Sequence, residues 1–267
     1  MAERFARGEP FFRFSLDAVF LKRILVEPSL LWAGLPFALV LTAILLAHEF
    51  GHFFACRYYR IDVSRPYLLP EPVLLGTFGA FVRIRSVIYS RKELFDVALA
   101  GPLAGLLVIL PAAVAGVAWS TPLRGIGQQG DLVLGTPWLL HYLAQVFFPG
   151  IEMHDLSLHP VARAAWVGLL ATALNLLPIG QLDGGHLLYA WVGQKQRRLT
   201  DWFIGGLVLL GFVYWPWWLW AAGLWRFGRQ HIYIHDDKPL DAKRQAALVL
   251  ALGVFLAGFV VAPIGAP

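Results

Sequence analysis

His48-Glu49-Phe50-Gly51-His52 follows residues 28–47, a run of twenty residues without Asp, Glu, Lys or Arg. The pattern is H-E-x-x-H. Histidines at i and i+4 share one helix face, so both imidazoles can reach a single ion. Zinc accepts nitrogen ligands at about 2.0–2.1 Å. Glu49 stands beside them, placed to take a proton from water whose pKa the metal lowers from 15.7 to about 7. At membrane depth an acidic residue costs on the order of 2.5–3.5 kcal/mol. Three ionisable groups in five residues therefore need a compensating partner, and a divalent cation supplies it. The plainer alternative ends the helix at Ala47 and makes the motif a solvated cap.

The apolar run is one of several. Residues 97–123, 164–182, 202–225 and 245–267 also carry no Asp, Glu, Lys or Arg. Each is long enough for the roughly 17–25 residues that a bilayer span needs. Only 15% of the 267 residues are charged, against about 25% in soluble domains. The expected fold is an all-α polytopic membrane protein with about five to six transmembrane helices. A small membrane-associated β-hairpin or sheet is expected between the first two core helices. Several of the eleven tryptophans (Trp32, Trp119, Trp202, Trp225) lie near the ends of apolar runs, where indole rings anchor at headgroup level. The net charge of +5 is spread between the runs, which suits anionic lipid and not nucleic acid. The single cysteine, Cys56, excludes an internal disulfide and a cysteine metal cluster.

Along the chain, residues 1–29 form a basic leader in which Phe11–Val26 can be an amphipathic surface helix. Residues 30–262 then form a single membrane domain. The H-E-x-x-H helix is expected over 30–58. In 61–89, prolines 66, 70 and 72 break any helix, and Val73–Leu75 with Phe78–Ile84 are β-prone. Ser90-Arg91-Lys92-Glu93 reads as a capping box opening a helix over 91–119. Pro137–Phe148 is too short for a span. Helices follow over 161–177 and 183–194. Residues 202–225, interrupted by Pro216, form either one kinked span or a hairpin of two half-spans. A last helix covers 246–262. Basic residues cluster after the first helix and after residue 194, which puts that face in the cytoplasm. The expected location is the cell's inner membrane, as a multi-pass protein with its site near the cytoplasmic side.

A catalytic zinc usually has three protein ligands and one open position. The candidate third ligand lies in Asn175-Leu176-Leu177-Pro178-Ile179-Gly180-Gln181-Leu182-Asp183-Gly184-Gly185-His186. Asp183 is the only charged residue between Arg163 and Lys195. The two glycines after it let the backbone turn sharply. Asp183 also suits the N-cap of the next helix, and the two roles are compatible.

H-E-F-G-H on an early span and N-L-L-P-I-G-Q-L-D-G-G-H on a later one resemble the site-2 protease family of intramembrane zinc metalloproteases, peptidase family M50. Gly76-Thr77-Phe78-Gly79-Ala80-Phe81 resembles the β-segment between that family's first two core helices. Ala100-Gly101-Pro102-Leu103-Ala104-Gly105 resembles the glycine-containing start of its next helix. The nearest subgroup is the small bacterial type without PDZ-like or CBS-like domains, related to plastid thylakoid homologues. An extra span before the first core helix is also missing. The resemblance implies one zinc ion per chain held by His48, His52 and Asp183. It implies Glu49 as general base and proton donor, and Asn175 near the substrate or the developing oxyanion. Asn175 can equally make a helix–helix hydrogen bond.

Residues 76–82, with Gly76, Thr77, Phe78, Gly79 and Ala80 at their centre, are expected to hold substrate in extended form by strand pairing. A purely structural hairpin is the alternative. Substrates would be transmembrane proteins, and the sequence leaves the oligomeric state open. His141, His154 and His159 read as surface or capping residues, and His186 as a neighbour of the aspartate turn. His231 and His235, near Asp236 and Asp237, read as a solvated loop, and Cys56 as buried filler. Two other functions compete with zinc endoproteolysis. One is a silent relative that binds membrane helices as a chaperone or regulator. The other is a transporter with a proton relay, disfavoured by the absence of repeat symmetry.

Overall fold

The computed structural model describes residues 29–71, 76–123, 133–228, 234, 236 and 238–265. The leader, Val73–Leu75, His231, His235 and Asp237 lie outside the described residues. The chain is mostly helical. Helix α1 (Ser29–Tyr58) and helix α2 (Arg91–Ala118) pack side by side. Gly34–Tyr58 and Arg91–Ala118, of 25 and 28 residues, are long and apolar enough to cross a membrane. At 1.5 Å per residue they reach about 37 and 42 Å, beyond a hydrocarbon layer of about 30 Å. Small residues bring the helices together: a methyl at Gly51 would fall 2.3 Å from the Ala100 carbonyl oxygen. Close backbone approach at small residues is how helices associate where lipid removes the hydrophobic drive.

Ser90 caps α2 by accepting from the Lys92 N–H at 3.2 Å and donates its own hydroxyl to Asp236 at 3.0 Å. The cap is made, although to the second helical amide and not the third that a capping box uses.

Between α1 and α2 an antiparallel pair forms from β1 (Tyr67–Glu71) and β2 (Gly76–Phe81). The hairpin is where the sequence puts it, and its first strand, Tyr67–Glu71, is one the sequence reading did not name. The register shifts between Leu69 and Pro70, and such a bulge is where a strand tolerates a residue without an N–H. An isolated bridge, Val63↔Ile84, extends the pairing.

After α2, β3 (Thr121–Pro122) leads outward, and β4 (Val133–Leu134) precedes a ten-residue helix α3 (Trp138–Phe147). Strand β5 (Leu156–Ser157) pairs with β3. Helix α4 (Pro160–Asn175) then packs against both α1 and α2. At its entry a methyl on Gly116 of α2 would lie 2.3 Å from the Ala162 amide nitrogen. Helix α5 (Asp183–Val192) returns along α2. Its N-cap is Leu182, so Asp183 stands at the first helical position, one residue inside the expected cap.

Residues 202–225 are not one continuous helix. Helix α6 (Gln196–Leu210) stops, and helix α7 (Pro216–Gly223) begins after a turn. The Trp218 indole N–H donates back to the Val208 carbonyl at 3.0 Å. The final helix α8 (Ala242–Gly258) starts about a turn before the expected 246, because Asp241 caps it by accepting from the Arg244 N–H at 3.0 Å. Strand β6 (Ile264–Gly265) pairs with β4.

The core lies among α2, α5 and α8, where Phe95, Leu187, Tyr189 and Val254 are buried. The outward faces stay apolar: Leu107 of α2, Leu209 of α6 and Val249 of α8 are 75%, 69% and 70% exposed. Bands of exposed hydrophobic side chains on that scale mark contact with lipid or protein.

Candidate metal centre

Three side chains from two distant parts of the chain meet beside α2. The Nε2 atoms of His48 and His52 are 3.1 Å apart. His48 Nε2 lies 3.2 Å from Asp183 Oδ2, and His52 Nε2 lies 3.5 Å from Asp183 Oδ1. Donors around one tetrahedral ion at about 2.0–2.1 Å stand roughly 3.3 Å from one another. The observed spacing brackets that value, so the trio fits zinc. Among the described residues this is the one group of three or more His, Cys, Asp or Glu with metal-binding spacing.

The tautomer of His52 agrees with that fit. Its Nδ1 is 2.8 Å from the Val97 carbonyl. A carbonyl can only accept, so Nδ1 carries the proton. In the neutral ring Nε2 is then a bare lone pair aimed at the meeting point. Metal-ligating histidines are commonly fixed in this way.

Glycines make the approach possible. The His52 ring lies directly on Gly101, where a methyl would sit 2.1 Å from Nε2. A methyl on Gly105 would be 3.5 Å from His48 Nδ1. On the aspartate side, Gly180 adopts φ +55°, a left-handed turn suited to glycine. A methyl on Gly184 would lie 2.0 Å from the Leu176 carbonyl oxygen. The loop between α4 and α5 thus folds back on itself and delivers Asp183 to α1. Asp183 stands in the first turn of α5, where the helix dipole favours a carboxylate.

The centre opens into a cavity of about 620 Å³ lined by His48, Glu49, His52, Asn175, Asp183 and His186 among others. Glu49 is half-buried, with the backbone of Val82 as a hydrogen-bonding neighbour. Asn175 is the last residue of α4 and lines the same space. From β2, Ala80 and Phe81 line it, and Val82 and Ile84 continue the wall. Gly76, Thr77, Phe78 and Gly79 lie on β2, with side chains outside the described set.

His141, His154 and His159 do not join the centre. His159 caps α4, its Nδ1 accepting from the Val161 N–H at 3.3 Å. His154 lies 3.3 Å from Glu152, and His141 is exposed on α3. Cys56 is fully buried against Ile61 and Val97.

Sequence reasoning missed Val97, Val82 and the specific duty of Gly101. The first two act through backbone groups, which no side-chain motif reveals. The quoted run Ala100–Gly105 held the signal for the third, but only as a resemblance.

Known proteins carry the same pattern. The sequence model of "Peptidase family M50" matches residues 36–213, more than half of the chain. "Probable zinc metalloprotease EGY1, chloroplastic" of Oryza sativa subsp. japonica is 32% identical over 87% of this chain and 41% of its own length. The EGY1 and EGY2 proteins of Arabidopsis thaliana, with the same description, are 34% and 36% identical over 67% and 68% of this chain. Each is covered over 33% of its own length. The chain therefore spans about two fifths or less of these curated relatives, and they are plant chloroplastic proteins rather than bacterial ones. With that match over α1, α2, α4 and α5, the chain belongs to peptidase family M50.

Proposed function

We propose that this chain is an intramembrane zinc metalloendopeptidase that hydrolyses peptide bonds of transmembrane proteins. What carries the reading is the convergence of His48, His52 and Asp183 within 3.1–3.5 Å beside Glu49, on a cavity reached by β2. His48, His52 and Asp183 hold one ion per chain. When bound, zinc supplies Lewis acidity, polarising a carbonyl and bringing the pKa of water from 15.7 to about 7.

The residues of this chain do the rest. Glu49 accepts the proton of the attacking water on its carboxylate, as the water oxygen bonds to the scissile carbonyl carbon. The same carboxyl returns that proton to the amide nitrogen as the C–N bond breaks. Asn175 donates toward the oxygen on which charge develops. Gly76, Thr77, Phe78, Gly79 and Ala80 present the free edge of β2, on which an unwound substrate strand adds by main-chain hydrogen bonds.

We place the protein in the inner membrane of a cell, as a multi-pass enzyme of the small bacterial type without PDZ-like or CBS-like domains. Helices α4 and α8, of 16 and 17 residues, reach about 24–26 Å and complete their crossing with flanking apolar residues and local thinning. The basic segment between α1 and α2 then faces the cytoplasm, with the centre on that side.

The test is Glu49→Gln in the purified full chain. Zinc content should stay at one ion per chain. Cleavage of transmembrane substrates, read by proteomics of membrane fragments, should fall by at least two to four orders of magnitude. Unchanged cleavage would refute the role of Glu49. A wild-type chain that binds zinc, binds membrane helices and cuts none would point to the silent regulator instead.

A further inference from the structure

A cluster of charged side chains outside the cavity reaches the metal centre through a single carbonyl. Asp96 precedes Val97, whose carbonyl accepts from His52 Nδ1 at 2.8 Å. The Asp96 carboxylate is gripped from two other helices. Arg244 of α8 donates Nε to Oδ1 at 2.9 Å and a second guanidinium nitrogen to Oδ2, a bidentate fork. Tyr59, just past the end of α1 and seven residues beyond His52, donates its hydroxyl to Oδ2 as well. Arg244 is held in turn by Asp241, the N-cap of its own helix. Asp96, Arg244 and Tyr59 thus join α1, α2 and α8 next to the one backbone group that sets the His52 ring.

The Val97 carbonyl has the Gly101 N–H as its helical partner, but the neighbouring rung is lost. Pro102 has no N–H for the carbonyl of Ala98, four residues earlier, so the α2 ladder is missing a rung beside Val97. Gly101 adds no side chain of its own. The fork to Arg244 ties the turn that carries the Val97 carbonyl to α8 from outside the helix.

We propose that Asp96 and Arg244 are positioning residues for the metal centre, fixing the Val97 carbonyl so that His52 presents Nε2 to the ion. The inference rests on the metal reading above. Partners that orient a ligating histidine typically contribute ten- to hundredfold to metal affinity. An Arg–carboxylate fork is the geometry that a lysine, as a point charge, does not reproduce.

The experiment is zinc competition against a chromophoric chelator, with the visible spectrum of the cobalt-substituted protein, on the full chain in detergent. Wild type and His48→Ala come first: unless wild type holds zinc and His48→Ala loses it, the metal reading itself fails. Asp96→Ala and Arg244→Ala should each then weaken zinc ten- to hundredfold and shift the cobalt bands. The double variant should weaken zinc no more than either single change, since the two act as one unit. Tyr59→Phe should cost less, about threefold.

The control is Ser120→Ala at the far end of α2, where the hydroxyl donates to the Gly116 carbonyl and accepts from the His159 N–H. It should lower the unfolding temperature and leave zinc affinity and cobalt bands unchanged. If Asp96→Ala does not fold, Arg244→Lys carries the test with an expected loss of several-fold. Wild-type zinc affinity in the Asp96 and Arg244 variants, or an equal loss in Ser120→Ala, would overturn the proposal and leave a merely structural latch.

Discussion

Gly51, Gly101, Gly116 and Gly184, of α1, α2 and the start of α5, differ in kind from Gly205, Gly206, Gly223 and Gly253 of α6, α7 and α8. A methyl at Gly51, Gly101, Gly116 or Gly184 would meet another atom at 2.0–2.3 Å. A methyl at Gly205, Gly206, Gly223 or Gly253 would meet nothing within 4 Å. The first set marks backbones pressed together to bring His48, His52 and Asp183 to one point. The second lies on outward faces, where nothing in the described structure demands a glycine. The helices that carry the chemistry are the ones whose backbones crowd at these glycines.

The largest way to break that contrast is Gly101→Ala. The added methyl falls on His52 Nε2 and its neighbouring ring carbons, so the ring must swing off the ion. Overpacking in a tight interior costs about 1–3 kcal/mol, and displacing one of three ligands should leave zinc affinity down by more than a hundredfold. Zinc titration of the purified variant measures it. Retention of wild-type affinity would show that the α1–α2 contact can give way without disturbing the site.

The opposite change sharpens the contrast with a smaller effect. Gly253→Ala in α8 adds a methyl to open space on an exposed face. Alanine is favoured over glycine inside a helix by about 0.8–1.0 kcal/mol. The variant should unfold at a slightly higher temperature, with zinc affinity and cleavage as in wild type. A loss of either would mean that the outward face of α8 is not free.

This contrast explains what was legible in the sequence. H-E-x-x-H and the turn around Asp183 could be read because their chemistry is carried by side chains at short spacing. Helices α1 and α2 could be read because long uncharged runs have few alternatives. Strand β1 went unnamed, since a bulge set by the partner strand is not written in the strand itself. The break at Gly211–Trp215 depends on Trp218 folding back over Gly211, and the sequence left that segment open between a kink and a hairpin. The start of α8 was misplaced because Asp241 was not read as a cap. The Val97–His52 and Asp96–Arg244 contacts join residues 45 and 148 positions apart. No periodicity within a single segment reports contacts at that range.

The smallest effect tests the outer end of the crowded body, where Gly116 presses on the entry of α4 and His159 caps it. The cap needs an unprotonated Nδ1, because that atom accepts from the Val161 N–H. Burial lowers the His159 pKa, and the nearby Arg163 lowers it further. With the folded value below the unfolded one of about 6.5, the unfolded chain takes up the proton first as the solution is acidified. The cap's contribution is therefore complete above that unfolded value and is lost as pH falls through it toward the folded one. Replacing the imidazole with an acceptor that does not titrate, as in His159→Asn, should keep the cap and flatten the dependence. Between pH 7 and pH 5 the unfolding temperature of wild type should fall further than that of His159→Asn. Parallel curves for the two proteins would mean that His159 is not read by pH, and that packing alone holds the entry to α4.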